Sequence, residues 1–286
     1  MLPDVEALLA RLRAQAGEAA DEAPVDEPGA AAPPRAAARR AEGVVAARVR
    51  ARGGPAAPAL WGLVHETGST GVLVHGAALG GRASARRDDL LDLLAASLDA
   101  GGGPHAFFMN TWAAGLAYSN GLRAAPLWGR ASYYAERCPD LAQTMRFVVD
   151  LARDPARHED PWLLEYALAQ LVSGTRVTDR VEARARGMAA DLVDGLTPEV
   201  VRAQREALLA LARAEGAWAE VGARRLPALR RVLVGLGAPE GGRAAHEGVL
   251  LAIGPERLLA GWEAYVRASE PGEAVHRIWP ADLWLA

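Results

Sequence analysis

Six runs between residues 71 and 150 decide the reading: GVLVHGAAL (71–79), DDLLDLLAASL (88–98), GGGPHAFF (101–108), GLAYSNGL (115–122), RASYYAER (130–137) and PDLAQTMRFVVD (139–150). The first is apolar and β-prone, as a half-buried strand requires. The second places Leu90, Leu91, Leu93, Leu94 and Leu98 on a broad helical stripe and stops at Gly101, Gly102 and Gly103, as helices that end on left-handed residues do. GLAYSNGL and RASYYAER read as two more strands, with Pro126 and Gly129 between them. The last run opens on Pro-Asp and aligns Leu141, Met145, Val148 and Val149, which predicts a helix over 139–153.

Upstream, ALWGLVHET (59–67) and TGVLVHGAAL (70–79) flank Gly68 and Ser69, a spacing that predicts a hairpin. Downstream, helical periodicity covers Trp162 to Leu171, Thr178 to Val193, Pro198 to Leu211 and Trp218 to Leu236, with Thr197-Pro198 as an N-cap and first helical residue. GVLLAIG (248–254) reads as a closing strand, followed by the helix ERLLAGWEAYVRAS. The fold class expected from this order is α+β, a mainly antiparallel sheet packed against helices.

Towards the N-terminus the pattern fades. Residues 4–16 predict one amphipathic helix, and residues 17–57 are dominated by Ala, Pro, Gly, Glu and Arg with few large side chains to bury. The expected organisation is therefore 1–57 as a short helix plus linker and 58–286 as one domain. Within the linker, EGVVAARVRAR has the composition of an added edge strand or short helix. The C-terminal HRIWPADLWLA, with Trp279 and Trp284, reads as a tail folded back on its own domain, with an interface anchor as the alternative.

Composition narrows the function classes. A 51% hydrophobic content excludes disorder of the whole chain, and 32 arginines against 35 acidic residues, with no lysine, leave no broad field for nucleic acid. No apolar run spans a membrane or forms a signal peptide, so the chain reads as cytoplasmic if its N-terminus is complete. A start this abrupt equally fits a piece of a longer polypeptide. The single cysteine, Cys138, forms no internal disulfide and reads as a structural cysteine, with a pKa lowered by the nearby helix start as the alternative. No Ser among Ser119, Ser132 and Ser173 lies in a nucleophile elbow. His158-Glu159-Asp160, ahead of Pro161, reads as an acidic helix-start cap.

Taken together, the runs from GVLVHGAAL to PDLAQTMRFVVD, then YALAQLVSGTRVTDRVEARARGMAADLVDG and VLLAIGPERLLAGWEAYV, resemble the non-catalytic second half of insulinase-type (pitrilysin family) metallopeptidases over residues 60–267. The resemblance implies an insulinase-like α+β domain and a role beside zinc hydrolysis. The six histidines are never four apart, so the inverted His-x-x-Glu-His motif of the family's catalytic half is absent and no zinc or other cofactor is expected in this chain itself. Of the arginine and tyrosine that second halves commonly contribute, the resemblance carries the tyrosine to Tyr118, while Thr111 stands where the arginine would be. His105, after the glycine cluster, is the next substrate-binding candidate. The partners implied are a second copy of the chain or a zinc-bearing insulinase-type domain, with a peptide as substrate. The alternative is a scaffolding module with no role in proteolysis.

Overall fold

The computed structural model describes residues 44–53, 59–66, 68–155, 159–173, 180–193, 195–237 and 248–283. The helix expected over 4–16, most of the linker, His158, His246 and Trp284 lie outside them. Within EGVVAARVRAR a short helix forms, α1 (Val44–Ala51), and it packs on the C-terminal end of the chain, where Arg48 donates to the carbonyls of Ala281 and Asp282 and Arg52 pairs with Asp282.

The sheet has six strands: β1 (Leu60–Val64), β2 (Gly71–Ala78), β3 (Ser119–Ala125), β4 (Arg130–Cys138), β5 (Val249–Gly254) and β6 (His276–Ile278). Their spatial order is β3-β4-β2-β5-β1-β6. β3/β4, β4/β2 and β2/β5 run antiparallel, while β5/β1 and β1/β6 run parallel, so the sheet is mixed. The hairpin expected between β1 and β2 does not form, because β5 lies between them, pairing Leu250 with Leu60 on one side and with His75 on the other. The residues between Val64 and Gly71 have only to step across one intervening strand, about 10 Å at the usual inter-strand spacing.

Local signals shaped the helices as the sequence predicts. α2 (Arg87–Ser97) buries Leu90, Leu91, Leu93 and Leu94. α4 (Leu141–Arg153) is capped by Asp140, whose side chain accepts from the Gln143 N–H at 2.9 Å, a cap of the kind that contributes about 1 kcal/mol. It turns Leu141, Met145, Val148, Val149 and Ala152 inward. Between α2 and β3, where no element was expected, a short helix α3 (Phe107–Ala113) buries Phe107 and Thr111, one turn apart. α5 (Trp162–Ser173) and α6 (Val181–Val193) follow, then α7 (Pro198–Ala212), capped by Thr197. α8 (Ala217–Arg230) comes next, then α9 (Glu256–Ser269) and a last turn α10 (Pro280–Leu283).

α8 ends six residues before the sequence periodicity does. Beyond Arg230 the chain stays buried through Val232, Leu233 and Val234 but leaves the helix, and side chains from other elements take its backbone groups. His75 Nδ1 donates to the Val232 carbonyl, Tyr265 to Val234 and Arg153 to Gly235, while Glu270 accepts from the Gly235 N–H. Apolar periodicity alone does not separate such a segment from a helix.

One face of the sheet is covered: α2 contacts β3 and β4, α4 contacts β2, and α9 contacts β5 and β1. Leu60, Leu73, His75, Leu122, Tyr133, Leu250 and Ala252 point into this layer, with Trp262 of α9 at its centre. The opposite face alternates with it. Trp61 and Leu63 of β1, Val72 and Val74 of β2, Tyr134 of β4, and Val249, Leu251 and Ile253 of β5 retain partial exposure, reaching 46% at Val74 and 57% at Val249. At the β6 end of this face α1 contacts the sheet, and Ile278, opposite Leu63, is buried. The tail expected to fold back does so as far as it is described, since β6 pairs with β1.

Candidate functional site

The β3–β4 end of the sheet carries the polar groups singled out by the sequence. Tyr118 lies just ahead of β3, its N–H donating to the Glu136 carbonyl at 2.9 Å and its ring 64% exposed. Thr111, where the resemblance implies an arginine, is buried within α3, and its hydroxyl has no hydrogen-bond partner. A guanidinium nevertheless reaches Tyr118. Arg137 of β4 stacks over the ring with its Cζ 4.6 Å from the centroid, close enough for a cation–π contact.

A β-bulge produces that contact. On the β2 side of β4 the register passes from Leu73 opposite Ala135 to Gly71 opposite Cys138, so Glu136 and Arg137 together face one residue. Arg137 adopts a left-handed φ of 55°. For a residue with a long side chain that conformation costs about 1–2 kcal/mol, and bulges commonly re-aim side chains near functional sites. The sequence hid this residue: in RASYYAER, Arg137 reads as the charged end of a strand, because a bulge is defined by the partner strand.

His105 is placed elsewhere. Its ring lies edge-on to Tyr166 at 4.7 Å and to Trp162 at 6.4 Å, both on α5. Tyr166 in turn accepts a hydrogen bond from the Gly102 N–H at 3.3 Å. Of the three glycines only Gly101 has a positive φ, 83°, and a Cβ there would meet the Tyr166 hydroxyl at 2.3 Å, so the tight approach is to α5 rather than to the sheet.

The glycine turn is one wall of a cavity of about 460 Å³. Ser97 and Ala100 at the end of α2, Gln170 and Leu171 of α5, and Asn120 to Ala124 of β3 complete it, with Tyr134 and Phe108 at its margins. Tyr118 and His105 do not line it: Tyr118 stands two residues before Asn120, and His105 contacts Tyr166 beside the glycine wall. Neither Asn120 nor Arg123 was singled out by the sequence, and no local motif marks them.

Other candidates resolve by burial. Cys138 is fully buried and its thiol is pushed up to about 11, chiefly by that burial, with Glu136 adding and the Thr144 hydroxyl opposing, so no thiolate is prepared there. Asp160 accepts from the Trp162 N–H at 2.9 Å, the acidic cap expected at that helix start. Among the described residues no three His, Cys, Asp or Glu side chains converge to hold a metal ion, and no helix is long and apolar enough to cross a membrane.

No protein-family model matches the chain, and no curated protein sequence does. Solved structures are similar to it at low identity. The inactive peptidase domain of a candidate zinc protease from Bordetella parapertussis is 14% identical with a TM-score of 0.40, covering 57% of this chain and 87% of that one. A conserved protein from Enterococcus faecalis is 13% identical with a TM-score of 0.41, covering 69% and 42%. The inactive domain of an M16 peptidase from Pseudomonas fluorescens is 15% identical with a TM-score of 0.39, covering 68% of this chain and 44% of that one.

Proposed function

We propose that the chain is a peptidase-like domain without a metal centre of its own, which closes a substrate chamber against a zinc-bearing partner domain. The observation that carries this is the partly exposed apolar sheet face. Trp61, Leu63, Val72, Val74, Val249, Leu251 and Ile253 form one contiguous patch across three adjacent strands. Contiguous apolar patches of this kind are uncommon on monomers unless something covers them. The sequence resemblance to insulinase-type second halves names the kind of domain that would. In that assembly Tyr118 and Arg137 present a phenol and a guanidinium to a bound peptide from the same end of the sheet, so the cation missing at position 111 has a substitute at position 137. His105 supports the glycine wall through Tyr166 rather than touching substrate.

The test is mass in solution for the chain alone and with an insulinase-type partner, followed by peptide cleavage by that partner with and without the chain. Leu251→Asp, on the open face, abolishes association if the reading holds. Tyr118→Phe lowers the stimulated rate without affecting assembly, by the about 0.5–1.5 kcal/mol that one hydroxyl contributes. A stable monomer that alters no partner's activity overturns the chamber reading. The scaffolding alternative draws on buried Thr111 in place of an arginine, and it predicts association with no change in cleavage rate.

A further inference from the structure

α6 is a helix without a packed face. Among the described residues nothing buries it: between Val181 and Ala190 only Ala183 is half-buried, and Val181 and Met188 are 79% and 60% exposed. At 13 residues, with Gly187 at its middle, it is marginal in water on its own, because helices shorter than about 12–15 residues draw their stability from packing an apolar face. Such a face is present. Val181, Ala185 and Met188 follow one another at helical spacing and line two turns of one side, about 10 Å.

The same chain carries a groove of matching length. Between α5 and α7 lies a cavity of about 400 Å³, with an apolar wall that includes Leu164, Leu168 and Val172 of α5 and Leu209 of α7. The three α5 residues recur at every fourth position, again two turns of helix. Leu168, Val172 and Leu209 keep partial exposure although Ala167, Leu171 and Leu208 beside them are buried in the core, so the groove is the outward face of a packed helix pair. Its charged groups are Glu165 and Arg213, both exposed and, among the described residues, in no ion pair. α6 carries the opposite set. Arg184 and Asp191 lie along one flank of the Val181–Met188 stripe, also two turns apart and in no ion pair among the described residues, while Glu182 and Arg186 lie away from that flank.

We propose that α6 of one chain docks in the α5–α7 groove of a second copy, which returns the same contact. The product is a two-fold dimer with Val181 and Met188 as anchors, Arg184 on Glu165 and Asp191 on Arg213. Such an interface is isologous: helix and groove belong to one chain, so each copy supplies what the other lacks. The mode is that of an amphipathic helix laid into an apolar groove with anchors at i and i+7, and the unbranched Met188 side chain adapts to an irregular wall. This interface is separate from the apolar sheet face assigned above to a partner domain, so the dimer and the chamber are independent readings.

The experiment measures the mass of the full chain by sedimentation over a concentration series, and the parent should be a dimer. Met188→Glu on the helix and Ala169→Glu on the groove wall, both at exposed positions, should each raise the dissociation constant about hundredfold or more, since each disrupts both symmetric contacts. Circular dichroism confirms that both variants keep the parent's fold. Their equimolar mixture is the decisive arm: a mixed dimer retains one unaltered contact, so mass should rise in the mixture and in neither component. Glu165→Arg should weaken the dimer about threefold or more, and adding Arg184→Glu to the same chain should restore it. Leu251→Asp, on the sheet face, should leave it intact. A parent that stays monomeric at about 100 µM, a dimer that survives both blocking variants, or a mixture no heavier than its components each overturns the proposal. A monomer that loses thermal stability with either blocking variant overturns it by placing α6 in its own chain's groove, and a dimer lost with Leu251→Asp overturns it by assigning self-association to the sheet face. Because no partner domain is present, failure of the dimer leaves the chamber reading to its own test.

Discussion

Arg225→Met isolates the interaction that holds the cavity's rear wall. Arg225 of α8 makes two parallel bonds to Asp99, Nε to Oδ2 and Nη2 to Oδ1, both at 2.8 Å, and its Nη1 donates to the Ala152 carbonyl of α4 at 2.6 Å. The two side chains are only 7% and 1% exposed. Asp99 immediately precedes Ala100 and Gly101, so this one guanidinium fixes the end of α2, α4 and α8 relative to one another. Removing the arginine takes from the buried carboxylate the two charge-assisted bonds that this guanidinium supplies. The cost is about 3–5 kcal/mol, which for a domain of this size corresponds to a fall in Tm of about 6–20 °C.

The pair's net contribution is a separate quantity, because desolvating both ions offsets most of their attraction. In the double variant Asp99→Leu with Arg225→Met, the Ala152 carbonyl loses the Arg225 donor. It should therefore sit about 1–3 kcal/mol below the parent, well above the sum of the single variants. Urea unfolding of the parent, both singles and the double closes the cycle, with equal m-values as the control for two-state behaviour. Additivity within about 0.5 kcal/mol would refute the coupling and with it the argument that this pair organises the wall.

Arg137→Gly relieves the left-handed strain and should leave stability unchanged or raise it by up to about 1 kcal/mol, while lowering any partner-stimulated cleavage. A clear loss of stability in thermal melts would show that the bulge depends on the side chain. Cys138 should resist iodoacetamide at pH 8 in the folded chain and react once urea unfolds it, since burial raises its thiol to about 11; labelling at the unfolded rate under native conditions would contradict the burial. His276 has its pKa lowered, by burial first, with Glu273 opposing. A depressed histidine means that the unfolded chain takes up the proton first, so stability should fall as pH drops below about 6.5 towards the lower folded value. His276→Gln should flatten that slope, and an unchanged slope would exclude this group as its source.

How much of this was legible in the sequence depended on the range of the cause. The cap at Thr197, the leucine stripe of α2 and the positive φ at Gly101 were readable because each is decided within one helical turn. The β1–β2 hairpin failed for the complementary reason. Gly68 and Ser69 satisfy a local turn rule, but the strand that separates β1 from β2 arrives after residue 248. The over-long α8 fails the same way, since the groups that draw residues 231–237 out of the helix belong to His75, Arg153, Tyr265 and Glu270.

The candidate site follows the same rule, with a functional consequence. Tyr118 could be found because it lies inside a contiguous motif, whereas Arg137 could not, because its reach to Tyr118 depends on a bulge measured against β2. Substituting Thr for the expected arginine therefore reads in the sequence as loss of a charge, while in three dimensions a guanidinium approaches the same phenol from the adjacent strand. A group can be lost from its motif and regained from a neighbouring strand provided the backbone accepts local strain, and Arg137 is one of only two non-glycine residues with positive φ among the described residues. That strain has no packing rationale within the domain, where a glycine would serve better. The Arg137→Gly comparison measures what the strained residue contributes beyond the fold.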